Sequence, residues 1–152
     1  MQAIYNKQAG FDYEILDKYE AGIVLSGAEV KSVKAGQMDL KSSYISLKRL
    51  PKPEMFLINA HIAPYKQAGK QTNYEPKRSR KLLLTKREIN SMAGKLDQNG
   101  LTIVPLKVYT VRNLVKIEIG LAKGKKQFEK RERIKKKDVE REIRRMLKNR
   151  NP

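Results

Sequence analysis

Between Leu114 and Leu121, apolar Val115, Ile117, Ile119 and Leu121 alternate with Lys116, Glu118 and Gly120. A period of two puts the apolar set on one face of a half-buried antiparallel strand. Leu101–Tyr109 is a second β-rich apolar run. Its Pro105 predicts a bulge or an edge, because proline cannot donate to a strand ladder. Ser43–Lys48 and Met55–Asn59 are two shorter candidates, and Tyr13–Leu25 reads as one long or interrupted strand with Gly22 as its candidate bulge.

Two helices are predicted from their caps. Thr85-Lys86-Arg87-Glu88 is a capping box, followed by Ile89, Met92, Ala93 and Leu96 on one face and stopped by Asn99-Gly100. Ser26-Gly27-Ala28-Glu29 is a second box, followed by Val30 and Val33, with Gly36 as its C-terminal cap. Many short strands with a few flanking helices predict a mainly β protein, a small antiparallel barrel of the oligonucleotide-binding kind.

Further along, the pattern changes. Val139, Ile143, Met146 and Leu147 fall at i, i+4, i+7 and i+8, a narrow helical stripe, with Glu129–Arg133, Glu132–Lys136 and Glu140–Arg144 as supporting pairs. Charge changes in the same place. Residues 121–152 hold 14 Lys and Arg against 5 Asp and Glu, while residues 1–120 hold 20 against 11. Half of the net charge of +18 therefore sits in about a fifth of the chain. These shifts predict a folded body over 1–120 and a basic tail over 121–152. The tail's self-repulsion predicts disorder when free and a helix on RNA.

So large a positive charge points to a polyanionic partner, nucleic acid before an acidic membrane. No run of 18 apolar residues is present, the first residues lack the apolar stretch of a signal peptide, and the tail's stripe has only one Leu for a membrane surface. The 152 residues include no cysteine, which removes disulfides, thiolate nucleophiles and Cys-bound zinc and fits a cytoplasmic protein. His61 is the sole histidine, and neither a Gly-x-Ser-x-Gly elbow nor a phosphate-cradling loop occurs. No enzyme, metal or cofactor is expected.

Several residues have two readings each. Glu29 closes its capping box or meets RNA. Glu20, set among Tyr19, Ala21, Gly22 and Ile23, pairs with a lysine or accepts from the amino edge of a base. His61 is structural or an RNA contact. Lys77-Arg78-Ser79-Arg80-Lys81 carries four positive charges in five residues, after Tyr74. It reads as a solvated loop or a phosphate-binding cluster, with Tyr74 able to stack on a base. From these features alone, a generic basic RNA-binding protein and a metal-dependent nuclease both stay open.

An ordered set of short motifs narrows the choice. Asn6-Lys7, Glu20-Ala21-Gly22-Ile23, Gly27-Ala28-Glu29-Val30-Lys31-Ser32 and Ser43-Tyr44 come first. Asn59-Ala60-His61-Ile62, Pro64-Tyr65, Arg80-Lys81-Leu82-Leu83-Leu84 and Gly120-Leu121-Ala122-Lys123-Gly124-Lys125-Lys126 follow. In this order the chain resembles the small protein B (SmpB) family over nearly its whole length. It departs at Ala28, where the family carries bulkier or hydroxyl residues, at Glu129 for a familiar Asp, and at Val139 where some members have Trp.

The resemblance implies an RNA-binding barrel that holds the tRNA-like domain of tmRNA and enters the A site of ribosomes stalled on a message without a stop codon. Elongation factor Tu delivers the aminoacylated complex, and the chemistry stays with the ribosome. On the resemblance, Asn6, Lys7, Glu20 and Leu83 contact tmRNA, with Arg80 and Lys81 on phosphates. Gly124, Lys125, Lys126, Lys130, Arg131, Ile134, Lys135, Val139 and Met146 serve the small-subunit decoding centre and the empty mRNA channel. A tail that fits only where mRNA is absent senses the stall by steric competition.

Overall fold

The computed structural model describes residues 1–69, 73–98, 100–125 and 137–146. Along them run β1 (Ile4–Tyr5), α1 (Ala9–Asp12), β2 (Tyr13–Ile23), α2 (Gly27–Lys34), β3 (Met38–Asp39), β4 (Tyr44–Lys48) and β5 (Glu54–Ile58). Then come β6 (His61–Ile62), a 3-10 turn (Lys66–Ala68), β7 (Arg80–Leu83), α3 (Lys86–Leu96), β8 (Leu101–Val111) and β9 (Leu114–Gly124). A last helix, α4, covers residues 137–146.

Seven strands form one antiparallel sheet in the order β1-β8-β9-β2-β7-β5-β4, and β3 pairs with β6 apart from it. Strand twist curls the sheet until β4 lies against β8. No backbone ladder joins those two strands among the described residues. The protein is mainly β with flanking helices, as its patterning predicts, while the hydrogen-bonded circuit stays open at β4.

Alternation along each strand fills the inside of the curl. Ala21, Met55, Leu57, Leu82, Ile103, Val108, Ile117 and Ile119 are all buried in one core. Each large aliphatic side chain so buried contributes roughly 1.5–3 kcal/mol. Both capping boxes form: Ser26 Oγ accepts from the Glu29 N–H, Thr85 Oγ1 accepts from the Glu88 N–H, and each glutamate accepts in return from its cap residue's N–H. Gly36 ends α2 at φ +79°, and α3 seats Ile89 and Met92 in the core.

Two details differ from the sequence pattern. The β8 bulge falls between Pro105 and Lys107 as proline predicts, but the β2 bulge lies between Ile15 and Asp17, not at Gly22. Gly22 instead lets β7 approach closely, since a Cβ there would stand 3.2 Å from Leu83 Cβ. The sheet also runs past residue 120. Leu121 and Ala122 are buried, Gly124 pairs with Tyr13, and Lys125 donates from its backbone to Asp12 O and from Nζ to Gly10 O. β9 thus runs on to Gly124, because its pairing with β2 outlasts the change in charge.

Candidate nucleic-acid interface

Strand register builds two rows on the outer face of the sheet. Tyr5, Lys107, Glu118 and Glu20 stand side by side on β1, β8, β9 and β2. Tyr109, Lys116, Gly22 and Leu83 form the next row on β8, β9, β2 and β7. The residues between them, Val108, Ile117 and Ala21, point into the core. Three strand spacings make each row roughly 15 Å long. Tyr5 is 63% and Leu83 54% exposed, so an aromatic ring and an aliphatic side chain face solvent beside lysines.

This face brings together candidates that lie far apart in the chain. Glu20 is exposed on β2, and its Oε2 accepts from the Tyr109 hydroxyl at 2.5 Å. Leu83 packs over Gly22, two residues from Glu20. Lys81 shares the outer side of β7 with Leu83, its Nζ 3.6 Å from Glu54 Oε2. Asn6 and Lys7 follow Tyr5 at the sheet's edge. The Asn6 side-chain amide donates to Pro105 O at 2.8 Å and its backbone N–H to Leu106 O, fastening this turn to the β8 bulge. Lys7 is exposed and lines a shallow cleft with Tyr5, Asp39 and Lys41.

Arg80 is not among them. The alternation that turns Lys81 and Leu83 outward turns Arg80 inward, where it is 0% exposed. Its Nε and Nη2 donate to Glu29 Oε2 at 2.8 and 2.6 Å, Nη1 to Ala60 O at 2.9 Å, and Nη2 to Pro76 O at 3.0 Å. Arg80 therefore offers no donor to a phosphate, and its expected RNA contact is corrected to a structural role. Arg78 also turns onto Glu29, and the Tyr74 hydroxyl donates to Ile62 O while meeting the same carboxylate. The run 77–81 is thus divided between core and surface, and Tyr74 is held in the network.

Glu29 is the anion of this network and is 1% exposed. Burial pushes its carboxyl up, but hydrogen bonds from Arg78, the Ser26 N–H and Arg80 outweigh that and hold it at about 2. Glu29 thus closes its helix cap and pairs with both arginines at once. His61 is half-buried opposite Asp39, beside a cleft that also touches Lys41, Asn59 and Lys77.

Of the tail candidates, Gly124 and Lys125 belong to the sheet's end, as above. Lys126, Lys130, Arg131, Ile134 and Lys135 lie outside the described residues, as do Glu129–Arg133, Glu132–Lys136 and Leu147. Val139 and Met146, with Ile143, stand exposed along α4. Among the described residues no group of three or more His, Asp or Glu could hold a metal ion, and no helix is long and apolar enough to cross a membrane. Tyr5, Lys107 and Tyr109 were not singled out by sequence reasoning. The signal was the alternation of Lys107 and Tyr109 about Val108, but only register reveals their neighbours.

The sequence model described as SmpB protein matches residues 3–149. An SsrA-binding protein of Carboxydothermus hydrogenoformans (strain ATCC BAA-161 / DSM 6008 / Z-2901) is 52% identical over 142 residues, 93% of each chain. That of Gloeothece citriformis (strain PCC 7424) is 50% identical over 143 residues, 94% of this chain and 90% of its own. A solved structure described as "tmRNA-SmpB: a journey to the center of the bacterial ribosome" superposes with a TM-score of 0.65 at 48% identity, covering 82% of this chain and 85% of its own. With a family match over almost its full length and half its residues shared with these relatives, the chain belongs to the SmpB family.

Proposed function

We propose that this protein binds tmRNA and carries it into stalled ribosomes for trans-translation. The observation that carries the reading is the near full-length likeness to SsrA-binding proteins, SsrA being tmRNA. The outer sheet face supplies the means. A curved surface with exposed Tyr5 and Leu83, flanking Lys81, Lys107 and Lys116, and an acceptor at Glu20 suits a folded RNA, which is read by shape, stacking and base edges. Asn6 and Lys7 extend this face at its edge, and the tRNA-like domain of tmRNA is its ligand.

The cationic segment beyond the sheet takes the second task. It enters the decoding centre and the mRNA channel of a ribosome whose A site lacks a codon. Gly124 and Lys125 launch it, and Lys126, Lys130, Arg131, Ile134, Lys135, Val139 and Met146 line it. Elongation factor Tu delivers the aminoacylated complex, and the protein works in the cytoplasm without cofactor or catalysis of its own.

Competition binding tests this. Labelled tRNA-like domain of tmRNA is displaced by ordinary tRNA at fixed salt, since roughly six to ten phosphate contacts shift affinity by about 10³–10⁵ between 50 and 200 mM salt. Preference for the tRNA-like domain is expected. Equal competition by every RNA would leave only charge-driven binding.

A further inference from the structure

We infer that Tyr109 is a positioning residue of the RNA-binding face, and that its hydroxyl aims the Glu20 carboxylate at the amino edge of an unpaired base. The inference rests on the reading that this face binds tmRNA. Glu20 has a problem of its own. Its direct cross-strand neighbour on β9 is Glu118, and like charges placed opposite each other repel. An exposed glutamate so placed would swing away through its free side-chain rotations. Tyr109 stands in the neighbouring row on β8, one strand beyond Glu118, and reaches across β9 to donate to Glu20 Oε2. Residues 89 apart in sequence thus hold one acceptor in place.

The tyrosine is itself held. Its ring is half-buried, and Lys107 Nζ stands 5.4 Å from the ring centroid. Burial, the Glu20 hydrogen bond and the nearby charges of Glu20 and Glu118 push the phenol above its ordinary value, so it remains a donor at neutral pH. An ionised carboxylate only accepts. It repels phosphate and takes the N–H groups of guanine, cytosine or adenine, while Lys107 and Lys116 stand in the flanking positions to meet the backbone. The Glu20–Glu118 spot is therefore where a strongly basic protein selects a base edge over a phosphate.

The test is equilibrium binding of the tRNA-like domain of tmRNA, with ordinary tRNA as competitor, to the full chain and to Tyr109→Phe, Glu20→Gln and the double variant. Phenylalanine keeps the ring, its packing and the lysine above it. Tyr109→Phe is expected to weaken binding about fivefold to tenfold, and to have no further effect once Glu20 is Gln. Unchanged affinity for Tyr109→Phe, or full additivity in the double variant, overturns the inference while leaving the tmRNA reading intact. A parent chain that does not prefer the tRNA-like domain overturns that reading and the inference with it.

Discussion

Replacing Arg80 by Met keeps most of the side chain's length and removes its charge. The structure predicts a loss of stability with little direct loss of RNA affinity. Arg80 is fully buried and neutralises Glu29, which is itself buried and left with Arg78 as its remaining cation. Breaking a buried pair by removing one partner costs about 3–5 kcal/mol, because the other charge stays behind. The Ala60 and Pro76 carbonyls lose donors as well, which places the expected cost near the top of that range. That is a large share of a domain's stability of about 5–15 kcal/mol. Urea unfolding followed by circular dichroism reads it. With a slope of about 1–3 kcal/mol per molar, the midpoint falls by roughly 2 M. Binding to the tRNA-like domain, measured without urea at low temperature, should change less than about threefold. A variant that loses under about 1 kcal/mol of stability but more than tenfold in RNA affinity would return Arg80 to the RNA face and refute the buried-network reasoning.

Glu29 makes stability depend on acid. Its carboxyl is held at about 2 in the fold against 4.5 ordinarily, so its contribution is complete above pH 4.5 and is lost as pH falls toward 2. The contribution amounts to about 3 kcal/mol at ~1.4 kcal/mol per pH unit, and urea midpoints between pH 6 and 2 should fall less steeply for Glu29→Gln than for the parent. Glu20→Ala, at an exposed position, should leave the thermal midpoint within about 2 °C while weakening tRNA-like-domain binding about tenfold by calorimetric titration. Unchanged affinity would remove Glu20 from the site. Deleting residues 126–152 spares the Gly124 and Lys125 bonds to the body. It should keep tmRNA affinity within about threefold and abolish tagging in a reconstituted stalled-translation assay, and a matching loss of both would refute the division of labour.

Local features of this protein were legible in its sequence because their partners lie within a few residues. Ser26 with Glu29 and Thr85 with Glu88 cap their helices as their spacing predicts. The alternation after Leu114 and the proline in β8 likewise report strand faces and a bulge directly. The tmRNA assignment came from ordered motifs, a property of the chain rather than of its folding.

What only the tertiary structure decided depends on contacts across the sheet. Arg80 and Lys81 are chemically alike neighbours, yet the two-residue period of β7 sends one into the core and the other to the surface, and which goes where follows from the pairing of β7 with β2 and β5. The bulge of β2 falls at Ile15–Asp17, a stretch of β2 that holds no glycine, and becomes visible only in its pairing with β9. Leu121 and Ala122 belong to the sheet although a basic run follows them at once, because burial against β2 and β8 overrides composition. Tyr109 and Glu20 meet only when β8, β9 and β2 lie side by side. A residue's neighbours along the chain determine its local geometry, while the strands beside it determine what it touches.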